Sequence, residues 1–495
     1  MITPVADQAT AFVVDDDGRI AWIGDESGRP DEVDDIDLRG AFVAPAFVDA
    51  HVHATATGLA LTGLDLRSAR SLAEALNAVE AAARVGRGRP LLGSGWDETY
   101  WPERRPPTAA ELDRASYGGA VYLARVDVHS ALASSALLAA VPDARALTGF
   151  DATGWVRGPA HDAVREAAFA AVTRSQRGDA QRAALHRAAE LGIACVHEMA
   201  GPIISSEDDL RDLLALSHAE PLPAVIGYWA ELLGIDMARE LGAVGAAGDL
   251  FCDGSLGSHT AALSAPYADR PDTSGLLRFS TEEVAEHVVQ CSQGGLQAGF
   301  HAIGDAAVDQ VLSAIELASK RLGRPAGQGH RIEHVEFVHD AHRLAASGLV
   351  ASMQPCFDAE WGGDHRMYAE RLGADRARQL NRFADLASAG VPLAFGSDAP
   401  VTELGPWAAV RAAVHPSDPD AAISAPAAFA AHTAGGWRAA GRPDPGVLVP
   451  GAPATFAVWD ASADELFDLA PGTELPRCRA TVLSGTPIYD TGLHS

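Results

Sequence analysis

Lysine is all but absent from this 495-residue chain: Lys320 is the single one, and arginine carries nearly all of the basic charge. It lies in a helix-like stretch, residues 315–322, and reads as solvated surface. Cysteine is sparse as well. The five cysteines (Cys195, Cys252, Cys291, Cys356, Cys478) are odd in number and scattered, and none forms a CxxC. That excludes a disulfide framework and fits a reducing compartment. Positive charge is in deficit, and a net charge of −28 argues against nucleic acid or an anionic membrane surface as a partner. Long apolar runs are missing too. The longest small-apolar stretch, residues 131–141, falls far short of the ~20 residues needed to span a bilayer. Residues 1–10 lack the basic-then-apolar pattern of a secretion leader. These absences predict a cytoplasmic protein without nucleic-acid or membrane partners and do not identify a substrate; a homodimer is a common state for such proteins.

What is present is an α/β pattern. Length alone suggests two to four domains, and 47% hydrophobic residues is ordinary for a folded chain. Short apolar runs alternate with alanine-rich helical stretches, the mark of parallel α/β structure. Eight runs read as strands: residues 47–53, 193–198, 224–229, 249–253, 297–301, 331–335, 350–354 and 393–398. Eight closes a TIM-like (β/α)₈ barrel. The first and second runs are separated by an insert at about 64–190, with strands of its own at 91–94 and 121–126. Such an insert is expected to form a lobe over the barrel mouth. Residues 1–46 and 441–495 look like short-strand meanders that combine into one small β-sandwich formed from both termini, leaving 47–440 as the barrel with its insert. The run Asp15-Asp16-Asp17-Gly18 reads as a hairpin turn, because the later ligands of a calcium loop are absent. The glycines at 242, 245 and 248 have the wrong spacing for a dinucleotide loop and precede a strand.

The chemistry sits at strand ends. Residues i and i+2 of a strand share a face, so His51 and His53 project together with Val52 turned into the packing. His301 closes the fifth run, His334 the sixth and Asp398 the eighth. In a closed barrel these ends converge on the C-terminal mouth. Four histidines and an acid there are hard to explain by packing, because such groups need partners when buried. They read as a metal site.

The motifs that carry this site are Ala44-Pro45-Ala46-Phe47-Val48-Asp49-Ala50-His51-Val52-His53, Phe300-His301-Ala302-Ile303-Gly304-Asp305, Arg331-Ile332-Glu333-His334 and Gly396-Ser397-Asp398-Ala399-Pro400. With Ser94-Gly95-Trp96-Asp97, Arg125-Val126-Asp127-Val128-His129 and Asp253-Gly254-Ser255-Leu256-Gly257-Ser258, they make the chain resemble the amidohydrolase superfamily, and within it the N-substituted formamide deformylase-like branch. The resemblance covers nearly the whole chain. It departs from the family at Ala46, where a glycine is usual, and at Asp249, where members often carry a lysine that is carbamylated to bridge two metals.

The resemblance implies a metal-dependent hydrolase of carbon–nitrogen bonds other than peptide bonds, acting on a small-molecule substrate. With no carbamylated lysine, and an aspartate several atoms shorter in its place, one tightly held ion is expected, zinc by default and iron or manganese as other fits. His51, His53, His301 and Asp398 would hold it. Asp398 would shuttle a proton from the attacking water to the leaving nitrogen, and His334 would steer the water or stabilise the oxyanion. With two ions, His301 and His334 would hold the second. Asp253 and Ser255 are candidates for substrate contact or turn capping, and Trp96, Asp127 and His129 for the pocket wall. Deamination of an amidine or heterocycle uses the same water and acid. A barrel that binds metal or ligand without turnover is the alternative from another class.

Overall fold

The computed structural model describes residues 1–5, 9–30, 36–125, 130–442 and 446–492. Eight parallel strands form the central sheet: β1 (Phe47–Val52), β2 (Ile193–Ala200), β3 (Ala224–Trp229), β4 (Gly245–Ala246), β5 (Gln297–Ala302), β6 (Arg331–His334), β7 (Val350–Met353) and β8 (Leu393–Phe395), paired in that order. Their inner and outer faces are both covered, so the strands are near-continuous apolar runs rather than alternating ones. β8 returns to β1 at the carboxyl end. The Asp398 N–H donates to the His51 carbonyl at 2.8 Å, and the His53 N–H donates to the Ala399 carbonyl at 2.9 Å. The barrel is thus closed by the backbone of three of the expected ligands.

Strand four differs from the expected position. Gly245 alone pairs with both neighbours, and Ala246 pairs with β5 only. Gly248 then takes φ +93°, a conformation that favours glycine, and turns the chain out of the sheet. Residues 249–253 form the loop beyond it, touching β5 through the single bridge Phe251–His301. Asp249 is therefore a mouth residue, free of a strand's geometry.

The termini build a small sheet domain. Phe42–Pro45 pairs antiparallel with Phe456–Trp459, which continues to Cys478–Leu483 and Thr486–Asp490. The hairpin Ala11–Val14/Ile20–Gly24 packs on this sheet through Phe12, Ile20, Ile23, Val43, Phe456, Val458 and Val482. The Asp15 carboxylate accepts the N–H groups of Asp17 and Arg19, so the acidic run is a hairpin turn.

The chain between β1 and β2 makes a second compact unit, Thr55–Ala184. Its five-stranded sheet runs Leu64–Asp65, Leu91–Trp96, Val121–Arg125, Ser130–Ala133 and Trp155–Arg157, the first three parallel and the last two antiparallel. Helices Leu72–Gly86 and Ala109–Ala115 start on Ser71 and Thr108 side-chain caps, the latter a capping box with Glu111. No helix among the described residues is long and apolar enough to cross a membrane.

Candidate metal centre

Two groups of side chains converge beyond the carboxyl ends of the strands. The first is His51, His53, Asp249 and Asp398; the second is Asp249, His301 and His334. Asp249 belongs to both. Its Oδ2 lies 3.5 Å from His51 Nε2 and 3.2 Å from His53 Nε2. Its Oδ1 lies 3.4 Å from His301 Nδ1 and 3.2 Å from His334 Nε2. Asp398 Oδ1 closes the first group at 3.5 Å from His51 Nε2 and 3.1 Å from His53 Nε2.

This arrangement differs from the expected single set. His301 joins His334 and not His51, His53 and Asp398. The aspartate expected to be too short to bridge does reach both sides, because it stands on the loop past β4 and not on the strand. Backbone strain gathers here as well: His334, Val335 and Asp398 have φ of +70°, +54° and +54°, a region costly for residues other than glycine.

Each imidazole spends its other nitrogen on a fixed partner. His51 Nδ1 meets Glu333 Oε2 at 3.0 Å, His53 Nδ1 the Met199 carbonyl at 3.1 Å, and His334 Nδ1 Gln354 Oε1 at 2.8 Å. His301 is turned the other way, with Nε2 on the Gly254 carbonyl at 3.1 Å. Three rings therefore present Nε2 inward and one presents Nδ1. Such outer contacts fix ring tautomer and orientation. Behind Glu333 lies Arg331, with no solvent exposure. Its guanidinium donates to both Glu333 oxygens at 2.5 and 2.9 Å, to the Ala50 carbonyl at 2.6 Å and to Ser352 at 3.0 Å, and it lies 4.7 Å over the Tyr228 ring.

The electrostatics favour positive charge at the centre. Burial disfavours a charged His51, yet Asp249 and Asp398 override it and lift its pKa to about 10. Burial alone would raise Glu333; Arg331 and His51 bring it down to about 2. Burial lifts Glu198, whose Oε2 accepts the Ala54 N–H at 2.7 Å, to about 7. Two of the inward atoms, His51 Nε2 and Asp398 Oδ1, are buried without a hydrogen-bond partner among the described residues. Four imidazoles and two carboxylates with orphaned inward atoms fit divalent cations of the zinc type.

The other described candidates, Asp253, Ser255 and Trp96, belong to neither group. Asp253 is fully buried, and its oxygens accept the N–H groups of Ala262, Ile303 and Gly304 at 2.9, 3.1 and 2.8 Å. It ties the loop after β4 to the start of the helix after β5. Ser255 is exposed, and its hydroxyl shares a hydrogen bond of 2.8 Å with Ser258. Trp96 belongs to the core of the Thr55–Ala184 unit, fully buried, with its indole N–H on the Leu123 carbonyl at 2.8 Å. Trp96→Phe should therefore cost about 1–3 kcal/mol by orphaning that carbonyl while leaving KM unchanged, as thermal melts and steady-state rates will show. Asp127 and His129 lie outside the described residues. Cys356 is in neither group, and burial pushes its thiol up to about 12. Sequence reasoning missed Asp249 as a shared group and Gln354 altogether. Arg331 and Glu333 had a readable signal: two opposite charges at i and i+2 inside a buried strand demand one another.

The sequence model of the amidohydrolase family matches residues 34–489. The chain belongs to the amidohydrolase family. A solved structure of an uncharacterized metal-dependent hydrolase from Pyrococcus furiosus shares 30% identity with this amidohydrolase at a TM-score of 0.77, covering 91% of this chain and 95% of that one. Among curated proteins, Protein LONG AFTER FAR-RED 3 of Arabidopsis thaliana is 28% identical, over 92% of this chain and 83% of its own. The N-substituted formamide deformylase of Arthrobacter pascens is 25% identical, over 90% and 88%. This amidohydrolase is thus a hydrolase of carbon–nitrogen bonds, built on a barrel whose mouth gathers the donors for a metal.

Proposed function

We propose that the chain is a two-centre hydrolase of a small-molecule amide, with the substituted formamides as the substrate class. The observation that carries the two-centre reading is Asp249, whose two oxygens face two different pairs of imidazoles. His51, His53 and Asp398 would hold one ion and His301 and His334 the other, with Asp249 shared and zinc the best match to the nitrogen and oxygen donors. Ions held there would supply Lewis acidity and a water of lowered pKa, toward ~7.

The protein does the rest. Asp398 takes the proton of the attacking water and hands it to the leaving nitrogen. Its strained backbone and the closure of β8 on β1 hold that carboxylate beside His53. His51 is kept in register by the Glu333–Arg331 pair. The formamide class is supported by the 25% identity to the Arthrobacter pascens enzyme and by the motifs shared with that branch.

The test is elemental analysis of protein purified without added metal, followed by a panel of N-alkyl formamides. Two equivalents of zinc and release of formate are expected. One equivalent would return the single-ion set, ammonia release would mark a deaminase, and a metal-free, inactive chain would sink the reading. Asp398→Asn should keep its zinc and its fold while kcat falls on the order of 10²–10³. Wild-type rates from that variant would refute the proton shuttle.

A further inference from the structure

Gln354 directly follows β7, is 1% exposed, and makes one side-chain hydrogen bond among the described residues, from Oε1 to His334 Nδ1 at 2.8 Å. We propose that Gln354 is the positioning residue of the second centre: it fixes the tautomer and plane of His334 so that Nε2 meets Asp249. The inference rests on the two-centre reading above.

The geometry leaves His334 one workable state. Its Nε2 faces Asp249 Oδ1 at 3.2 Å and must be free of its proton to bind a cation. The proton then sits on Nδ1 and needs an acceptor, which is why the amide turns its oxygen and not its nitrogen to the ring. Phe357 stacks on the same imidazole at 6.0 Å and 9°, so the ring is held flat as well as in register. The backbone gives no such restraint for free, since His334 and Val335 are both in the left-handed region.

The amide is kept at a cost. Gln354 Nε2 is buried without a hydrogen-bond partner among the described residues, a desolvation penalty that an apolar side chain would not incur. The contact with His334 is what offsets it. Gln354 also differs in kind from the acceptor behind His51. Glu333 is a carboxylate, whereas Gln354 is a neutral amide that brings no negative charge to its imidazole. With three protein ligands against four, the second centre is therefore the weaker and more exchangeable one.

The experiment is zinc titration of the metal-free full chain against a chromophoric chelator, with thermal melts of the same samples. Wild type should take up zinc in two resolved steps. Gln354→Leu should leave the first step unchanged, weaken the second by about 10–100-fold, and leave the metal-free melting temperature unchanged or raised. Gln354→Glu, which restores an acceptor, should bring the second step back to wild-type affinity or tighter. A Leu variant with a wild-type second step overturns the proposal. So does a Glu variant as weak as the Leu one, or a Leu variant that melts lower and loses both steps in parallel, the mark of a merely structural residue. A wild-type chain that binds a single zinc defeats the two-centre reading and this inference with it; two zincs bound with wild-type affinity in every variant defeat this inference alone.

Discussion

Asp249→Ala is expected to lower kcat/KM by about 10⁴-fold and to strip zinc from both centres. Each centre loses a ligand at once, because one carboxylate serves all four imidazoles. A bound metal contributes several kcal/mol of transition-state stabilisation, and each ~1.4 kcal/mol lost is tenfold in rate. The electrostatics agree: the imidazoles hold the Asp249 carboxyl well below the usual carboxylate range against the opposing effect of burial. Asp249→Asn should fall between wild type and Ala, since it keeps one oxygen and loses the charge. Asp249→Lys is the informative variant. A strand-borne lysine reaches a site by its length, whereas residue 249 already stands at the mouth, turned there by Gly248. Added bicarbonate should therefore not rescue it. Zinc content by elemental analysis, with rates on the formamide found in the panel, decides the matter; two zincs in Asp249→Ala would remove Asp249 from the site.

Asp249 also shows where the sequence was legible and where it was not. Strands β1, β2, β3 and β5 through β8 stood out because each is an apolar run between turn residues, and the period needs nothing beyond neighbouring positions. Strand β4 did not, since Gly245–Ala246 is too short to make a pattern. The apolar run Leu250-Phe251-Cys252 next to it looks like a strand but belongs to a loop. In the site, His51 and His53 were readable as a pair because alternation puts them on one face. The reach of Asp249 depends on a turn three-dimensional in origin, and no spacing rule encodes it. Gln354 is an amide, silent as a metal ligand, and becomes visible only when His334 is seen to need an acceptor.

Arg331→Met is expected to cost about 3–5 kcal/mol of folding stability, the effect of leaving one charge of a buried pair without its partner. Arg331 and Glu333 are both without solvent exposure, so water cannot take over. The variant leaves Glu333 with His51 but without the guanidinium, and burial then raises its pKa above the wild-type value. In the wild type the sign is fixed by the depressed folded value of about 2 against ~4.3 for an unfolded glutamate. The pair's stabilisation is complete above the unfolded value and drains away as pH falls from there through the folded one. Arg331→Met should thus lose the acid-induced fall in stability between about pH 4.5 and 2 that Glu333 contributes. Adding Glu333→Leu should recover much of the lost stability, because a well-packed apolar pair often matches a buried ion pair. It should not recover activity, since His51 Nδ1 then has no acceptor and its Nε2 is no longer held toward Asp249 and Asp398. Chemical denaturation and zinc affinity of the single and double variants separate the two roles. A double variant that regains both would show that the pair holds the fold and nothing more; one that regains stability alone places its purpose in aiming His51.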